Sequence, residues 1–349
     1  MTKTIATVFT CGGGFDVGAK AAGYIPVFGL DNDLKALASY TENFGDHAVC
    51  TDIRTYDFTG IKANHLHASP SCKSFSTANS KGGETDFDID CAKAVCTAIN
   101  QISPDTFSLE NVVPYKKSAA FELIIKYLIN HGYNVSHETL NSANYGVPQT
   151  RKRLIVLATK QGYPRFPEPT HSKPTQQKTL FELPDWVTWY EAIADLLESL
   201  KETDLAPWQQ KQIEQSTLFC GQLKSGSKLD TARTSSVENP CFTLPASVYK
   251  SLPRIALIEK VGARSDRPIR TISNKFPVPT LKALGQDGHW EQWVIKNGVK
   301  VFQSDVRCLA RWQSFPDWYK FPESRPVACS LIGNSVPPLL AQRIMEAIA

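Results

Sequence analysis

Cys72 stands in the segment Ser69-Pro70-Ser71-Cys72-Lys73-Ser74-Phe75-Ser76, directly after a short strand read over residues 64–68. A thiol at the carboxyl end of a strand is placed for nucleophilic chemistry. Pro70 has no N–H to give to a ladder, so the backbone must leave the sheet just before the sulfur. Lys73 follows immediately, and a neighbouring positive charge lowers a thiol's pKa and raises its thiolate fraction. The same local context also suits a small buried hydrophobe, the commoner fate of a free cysteine.

Three other segments carry chemistry. Glu110-Asn111-Val112 closes a strand over 106–109, and a carboxyl group partly removed from water can supply a proton near neutrality. Gln149-Thr150-Arg151-Lys152-Arg153 opens a strand in which alternation puts Arg151 and Arg153 on one face. One arginine could line a site while the other holds a phosphate or carboxylate. Phe9-Thr10-Cys11-Gly12-Gly13-Gly14-Phe15 joins the first strand to the first helix, where an open sheet binds nucleotide-like ligands. It is not a dinucleotide fingerprint, because G-x-G-x-x-G read from Gly12 puts Val17 at the third glycine. Asp31 ends the second strand, placed to accept hydrogen bonds from ribose hydroxyls, and Asp52-Ile53 follows the next candidate strand. A nucleoside cofactor without a pyrophosphate fits these features better than a nicotinamide dinucleotide.

Alternating short apolar runs and helical periods must position these residues. Strands are expected over 5–9, 27–30, 64–68, 106–109, 134–140 and 154–158, with helices over 17–23, 34–44, 88–102 and 119–133. That alternation predicts a doubly wound, mostly parallel α/β sheet with helices on both faces. After residue 162, prolines at 164, 167, 169, 174 and 184 break the pattern and mark a second, irregular domain. Regularity returns over 299–302, in a helix over 306–313 and in a closing helix over 337–348, with Ser335 as its N-cap.

The 349 residues are 42% hydrophobic, enough for two domains or one large domain with an insertion. No apolar run approaches the ~20 residues of a membrane span, and Met1-Thr2-Lys3-Thr4 leads into a strand without a signal-peptide pattern, so a cytoplasmic chain is expected. Nine scattered cysteines with no C-x-x-C pair argue for reduced thiols, against a disulfide framework and against a zinc site. The net charge is +4, but ten basic residues face four acidic ones over 220–275, a distribution suited to phosphate contact or to an ordinary solvated surface.

In order along the chain, these segments resemble those of the cytosine carbon-5 DNA methyltransferase family. Phe9 to Phe15 resembles its cofactor loop, Ser71-Cys72-Lys73 its Pro-Cys-Gln loop and Glu110-Asn111-Val112 its Glu-Asn-Val motif. Gln149 to Arg153 matches Gln-x-Arg-x-Arg, Arg311 to Asp317 resembles the segment after the recognition domain, and Gly333-Asn334-Ser335-Val336-Pro337 matches the closing Gly-Asn-x-Val-x-Pro. The chain departs from the family at Cys11, where the loop's first glycine belongs, at Ser71 and Lys73, and at Cys308, where the family often has Glu.

The resemblance implies a Rossmann-like S-adenosylmethionine-dependent domain over 1–162, a smaller target-recognition domain over 163–275 and a return segment over 276–349, of which 326–349 completes the catalytic domain. It implies methyl transfer from S-adenosylmethionine to carbon 5 of a flipped cytosine in duplex DNA. Cys72 would add at carbon 6, Glu110 would donate to ring nitrogen 3, Arg153 would hold the ring carbonyl, and Arg151 would be a further catalytic residue. No side chain is assigned to remove the carbon-5 proton. Phe9, Cys11, Gly12, Gly13, Gly14, Asp31, Asn32, Asp52, Ile53, Asn334 and Ser335 would surround the cofactor, with the last two holding its carboxylate at a helix start. Ser71, Lys73, Ser76, Asn111 and Thr280 would contact the target, and no metal is expected. The partners implied are duplex DNA and a paired restriction endonuclease, for a monomer associated with the nucleoid. An RNA cytosine methyltransferase, a silent DNA-binding regulator and a nicotinamide-dependent oxidoreductase are the rival readings.

Overall fold

The computed structural model of the chain describes residues 2–75, 83–174, 183–201, 220–221, 234–235, 240–242, 254–258 and 299–348. The chain divides into two compact units, one of residues 1–145, 152–169 and 335–349, the other of 146–151 and 170–334.

In the first unit the strands β1 (Thr4–Val8), β2 (Ile25–Asp31), β3 (Ala48–Cys50), β4 (His65–Ala68), β5 (Thr106–Asn111), β6 (Asn134–Asn141) and β8 (Lys152–Thr159) form one sheet; β7 (Gln149–Thr150) belongs to the second unit. The sheet order is β3-β2-β1-β4-β5-β8-β6. The pairs from β3 to β5 are parallel, and β8 runs antiparallel to both its neighbours. This is the doubly wound, mostly parallel sheet that the alternation predicts. Consecutive strands cross over through α1 (Gly14–Ala21), α2 (Leu34–Phe44), α3 (Asp86–Ile102) and α4 (Ala119–Asn130).

Strand alternation sorts the buried residues into two unlike faces. Ala6, Val8, Leu66, Ala68, Phe107, Leu109, Leu154, Val156 and Ala158 share one core with Ala92, Val95 and Ile99 of α3 and Phe121 and Ile124 of α4. The opposite face carries Thr7, His65, His67, Ser108 and Glu110, all buried and all polar. There α1 lies on the sheet, Phe15 against His67 and Asp16 within hydrogen-bond reach of Thr7. Gly18 lets α1 meet the closing helix Pro338–Ile348: an added Cβ would clash with the Pro338 carbonyl oxygen and lie 2.6 Å from the Ala341 Cβ.

Several element ends differ from expectation for local reasons. The helix expected from Val17 begins at Gly14, because Gly13 takes a left-handed φ of 76° and turns the chain without delay. The one expected from Asp88 begins at Asp86, where the Thr85 N–H and hydroxyl both donate to the Asp88 carboxylate. The closing helix starts at Pro338, and an unexpected helix Arg325–Asn334 precedes it.

In the second unit, helices Trp189–Ile193, Val306–Trp312 and Arg325–Asn334 accompany a four-stranded antiparallel sheet that includes Arg254–Ile258 and Val299–Gln303. The Trp312 indole donates to the Trp189 carbonyl at 3.0 Å, and both rings are fully buried. Most of the expected recognition domain, with the basic excess over 220–275, lies outside the described residues.

Candidate active site

Every parallel strand of the first unit ends on one edge, and the expected cofactor loop is built there. Phe9 and Cys11 adopt left-handed φ values of 58° and 51°, which non-glycine residues seldom take. This contortion lets the Cys11 N–H donate to Asp31 Oδ2 at 2.8 Å, while Asp33 N–H donates to Asp31 Oδ1 at 3.0 Å. Asp31 is thus oriented at the end of β2, and burial, partly opposed by these N–H groups, pushes its pKa up. Exposed Asn32 follows it, and Gly12 is buried in the loop. At Gly14 the backbone comes so close to 335–336 that a Cβ would lie 2.6 Å from the Val336 carbonyl oxygen and 2.7 Å from the Ser335 Cβ. The Cys11 thiol, hydrogen-bonded to the Ser335 side chain, is pushed up to about 12, chiefly by burial.

At the next strand end the Asp52 carboxylate is already engaged. Arg54 donates to it from Nε at 3.0 Å and from Nη2 at 2.6 Å, and its pairing with Arg54 holds the carboxyl below the usual range. Asp52 also accepts the Arg54 N–H and so caps the single turn Ile53–Thr55, with the Ile53 side chain in the core. An adenine amine would have to share this carboxylate with Arg54.

The Cys72 loop leaves the end of β4 beside the end of β5. Asn111, 1% exposed, donates from Nδ2 to the Pro70 carbonyl at 2.9 Å, two residues before Cys72. Cys72 is half-buried, its carbonyl accepts the Phe75 N–H at 3.1 Å, and the Lys73 N–H lies 3.4 Å from Ser71 Oγ. Lys73 is exposed, and Ser76 lies outside the described residues, as does Thr280. Glu110 pairs in register with Ile155, which makes Arg153 its diagonal neighbour on the same face. Arg153 Nε lies 3.0 Å from Glu110 Oε1, and both side chains are largely buried.

Two expectations are corrected. Arg151 does not share a strand face with Arg153, because it lies in the break between β7 and β8 and belongs to the second unit. It is 2% exposed and donates from Nη1 to the Gly333 carbonyl at 3.1 Å, anchoring the end of helix Arg325–Asn334. Asn334 does not start the closing helix; it ends the preceding one, with its amide 3.5 Å from Ser330 Oγ. In the same unit Gln149 donates to Gln313 Oε1 at 2.5 Å, bringing two of the motifs together, and Arg311 clamps Asp317 through Nε and Nη2. Cys308 is fully buried behind its helix cap, Asp305.

Sequence reasoning missed two buried polar groups. Asp16, beside the glycine loop, accepts hydrogen bonds from Thr7, Thr10 and Tyr40, and its pKa is raised to about 7, chiefly by burial. His65 and His67 belong to a hydrogen-bonded chain with Thr106, Ser108 and Ser69. The signal for the second was present: imidazoles at i and i+2 in one strand face hydroxyls at i and i+2 in the next. Among the described residues no group of three His, Cys, Asp or Glu side chains could hold a metal ion, and no helix is long and apolar enough to cross a membrane.

A thiol loop, an acid–guanidinium pair and a glycine loop with a carboxylate all stand at the ends of one sheet's strands, the edge where open α/β sheets bind ligands. The family model for C-5 cytosine-specific DNA methylase matches residues 4–349, and the chain belongs to that family. Among its relatives, the Type II methyltransferase M.AplI of Arthrospira platensis is 29% identical over 350 residues, covering 99% of this chain and 85% of that protein. M1.HphI of Haemophilus parahaemolyticus is 26% identical over 363 residues, covering 100% and 87%. The solved structure of the Entamoeba histolytica methyltransferase EhMeth shares the fold with a TM-score of 0.59 at 14% identity, over 100% of this chain and 98% of that one. The S. pombe Dnmt2 methyltransferase also gives 0.59, at 15% identity over 99% and 98%.

Proposed function

We propose that this chain methylates carbon 5 of cytosine in duplex DNA, with S-adenosylmethionine as methyl donor and Cys72 as covalent nucleophile. The observation that carries the reading is the Asn111 to Pro70 hydrogen bond, which ties the Cys72 loop to the strand end that bears Glu110. The relatives' description as Type II methyltransferases supports DNA as the substrate and a place beside a restriction endonuclease.

The loop suits the cofactor. Asp31, oriented by the Cys11 and Asp33 N–H groups at the end of β2, is placed where a ribose hydroxyl could meet its carboxylate. Phe9, half-buried against the core, would line the adenine position together with the exposed Asn32 and the Asp52-Ile53 turn. Gly12, Gly13 and Gly14 keep Cβ atoms out of the loop. When bound, S-adenosylmethionine supplies an electrophilic methyl group.

Cytosine must first leave the duplex, at a cost of a few kcal/mol. The Cys72 thiolate then forms a bond to ring carbon 6, and the displaced π electrons make carbon 5 nucleophilic. Glu110 delivers a proton to ring nitrogen 3, and Arg153 binds the ring carbonyl oxygen, where negative charge develops. Methyl transfer leaves S-adenosylhomocysteine; loss of the carbon-5 proton to water then re-forms the 5,6 double bond and expels the thiolate, and nitrogen 3 returns its proton to Glu110. Lys73 beside the thiol is suited to a phosphate flanking the flipped base. Incubation with tritiated S-adenosylmethionine and duplex DNA of mixed sequence should label the DNA, and Cys72→Ala should not. Absence of label with the wild-type protein would refute the reading, and label in RNA alone would favour the RNA rival.

A further inference from the structure

His67 touches both halves of the site at once. Its ring stacks on Phe15, the residue after Gly14 in the cofactor loop, with centroids 3.4 Å apart and planes 7° from parallel. Its Nε2 meets Ser69 Oγ at 2.8 Å, at the root of the Cys72 loop. The other ring nitrogen is held as firmly: His67 Nδ1 meets Ser108 Oγ at 2.8 Å, Ser108 meets His65 Nε2 at 2.8 Å, and His65 Nδ1 meets Thr106 Oγ1 at 2.7 Å. Two neutral imidazoles bring one N–H each and three hydroxyls one O–H each, so four links close with neither ring charged. Burial agrees, lowering the pKa of both histidines. A ring pinned through both nitrogens and one face cannot turn without breaking a buried hydrogen bond or the stack.

We propose that His67 is a positioning residue that sets the Cys72 loop through Ser69 and couples it to the cofactor loop through Phe15, so that occupancy of the cofactor site is read at the Cys72 thiol. A ligand that shifts the glycine loop moves Phe15, Phe15 bears on the imidazole, and the imidazole carries Ser69, three residues before the sulfur. Equilibrium coupling is reciprocal, so a change that favours one arrangement of the Cys72 loop must in turn alter affinity at the cofactor loop. The inference rests on the proposed roles of these two loops.

The test is alkylation of Cys72 by iodoacetamide in the full chain, followed by mass spectrometry of the Cys72 peptide, with and without saturating S-adenosylhomocysteine. In the wild type the ligand should change the labelling rate by about fivefold or more, the lower end of the usual range of such couplings. Ser69→Ala, which removes only the hydroxyl, should bring that factor close to one, and Ser69→Thr, which keeps it, should restore it. His67→Phe, which keeps the stack and loses the bond, should behave as Ser69→Ala does. Calorimetry of S-adenosylhomocysteine binding separates the two layers: no binding to the wild type overturns the cofactor reading itself. Binding with an unchanged labelling rate, or with the same change in Ser69→Ala as expected of direct shielding, overturns the coupling.

Discussion

Asp16→Asn should make the stability of the first unit less dependent on pH, in a direction fixed by burial. The carboxyl is fully buried and its folded pKa stands near 7, against 3.8 ordinarily, because desolvation outweighs the Thr10, Thr7 and Tyr40 hydroxyls that favour the charged form. Between these values the folded state holds a proton that the unfolded chain releases. The group therefore favours folding most below pH 4, and that contribution is lost as pH rises through 7. The difference of 3.2 units corresponds to about 4 kcal/mol at 1.36 kcal/mol per unit, of which about 2–3 kcal/mol falls between pH 5 and 8. Asparagine keeps an acceptor for Thr7 or Thr10 but brings an amide that must find Tyr40 as its partner, a rearrangement costing about 1 kcal/mol. Urea unfolding of both proteins at pH 5, 6, 7 and 8 should show the variant gaining on the wild type at each step upward. Stability curves that stay parallel across this range would refute the reasoning.

Three further outcomes are expected. His65, its folded pKa pushed down to about 3 by burial, is neutral in the fold and protonated in the unfolded chain below 6.5. Its contribution is full above 6.5 and falls by about 2 kcal/mol on acidification to pH 5, a loss that His65→Asn should remove from urea titrations. Gly18→Ala should cost about 1–3 kcal/mol in the same assay, because the clashing atoms include closing-helix backbone, and it should do so at every pH. Asn111→Ala should lower stability by about 1 kcal/mol and kcat by about tenfold or more, since freeing the Pro70 carbonyl misplaces the thiol, as steady-state methylation would show.

Much of the first unit was legible because its strands and helices bury simple periodic faces. Ala6 and Val8, Leu66 and Ala68, and Phe107 and Leu109 alternate as the sheet requires, and the loops after β1, β4 and β5 carry the residue types that chemistry needs. The second face was harder. Thr7, Asp16, His65, His67 and Ser108 look unfit for a core until their mutual hydrogen bonds are known, and those bonds join residues up to 43 positions apart. Helix Arg325–Asn334 went unread because Pro326 and Gly333 are poor helix formers in isolation, and proline is tolerated there only because it falls in the first turn. Arg151 shows the opposite failure: alternation placed it beside Arg153, but a strand break sends its side chain to Gly333.

The central claim is that Cys72 bonds to carbon 6 of cytosine in DNA. A duplex of mixed sequence with every cytosine replaced by 5-fluorocytosine tests it directly, because fluorine at carbon 5 cannot leave as the proton does and the adduct is trapped after methyl transfer. With S-adenosylmethionine present, a protein–DNA complex that survives denaturing electrophoresis should form, and its digest should carry the methylated fluoropyrimidine on the Cys72 peptide. A complex that forms equally with Cys72→Ala, a modification mapped to another cysteine, or no trapped complex beside label in ordinary DNA would contradict it.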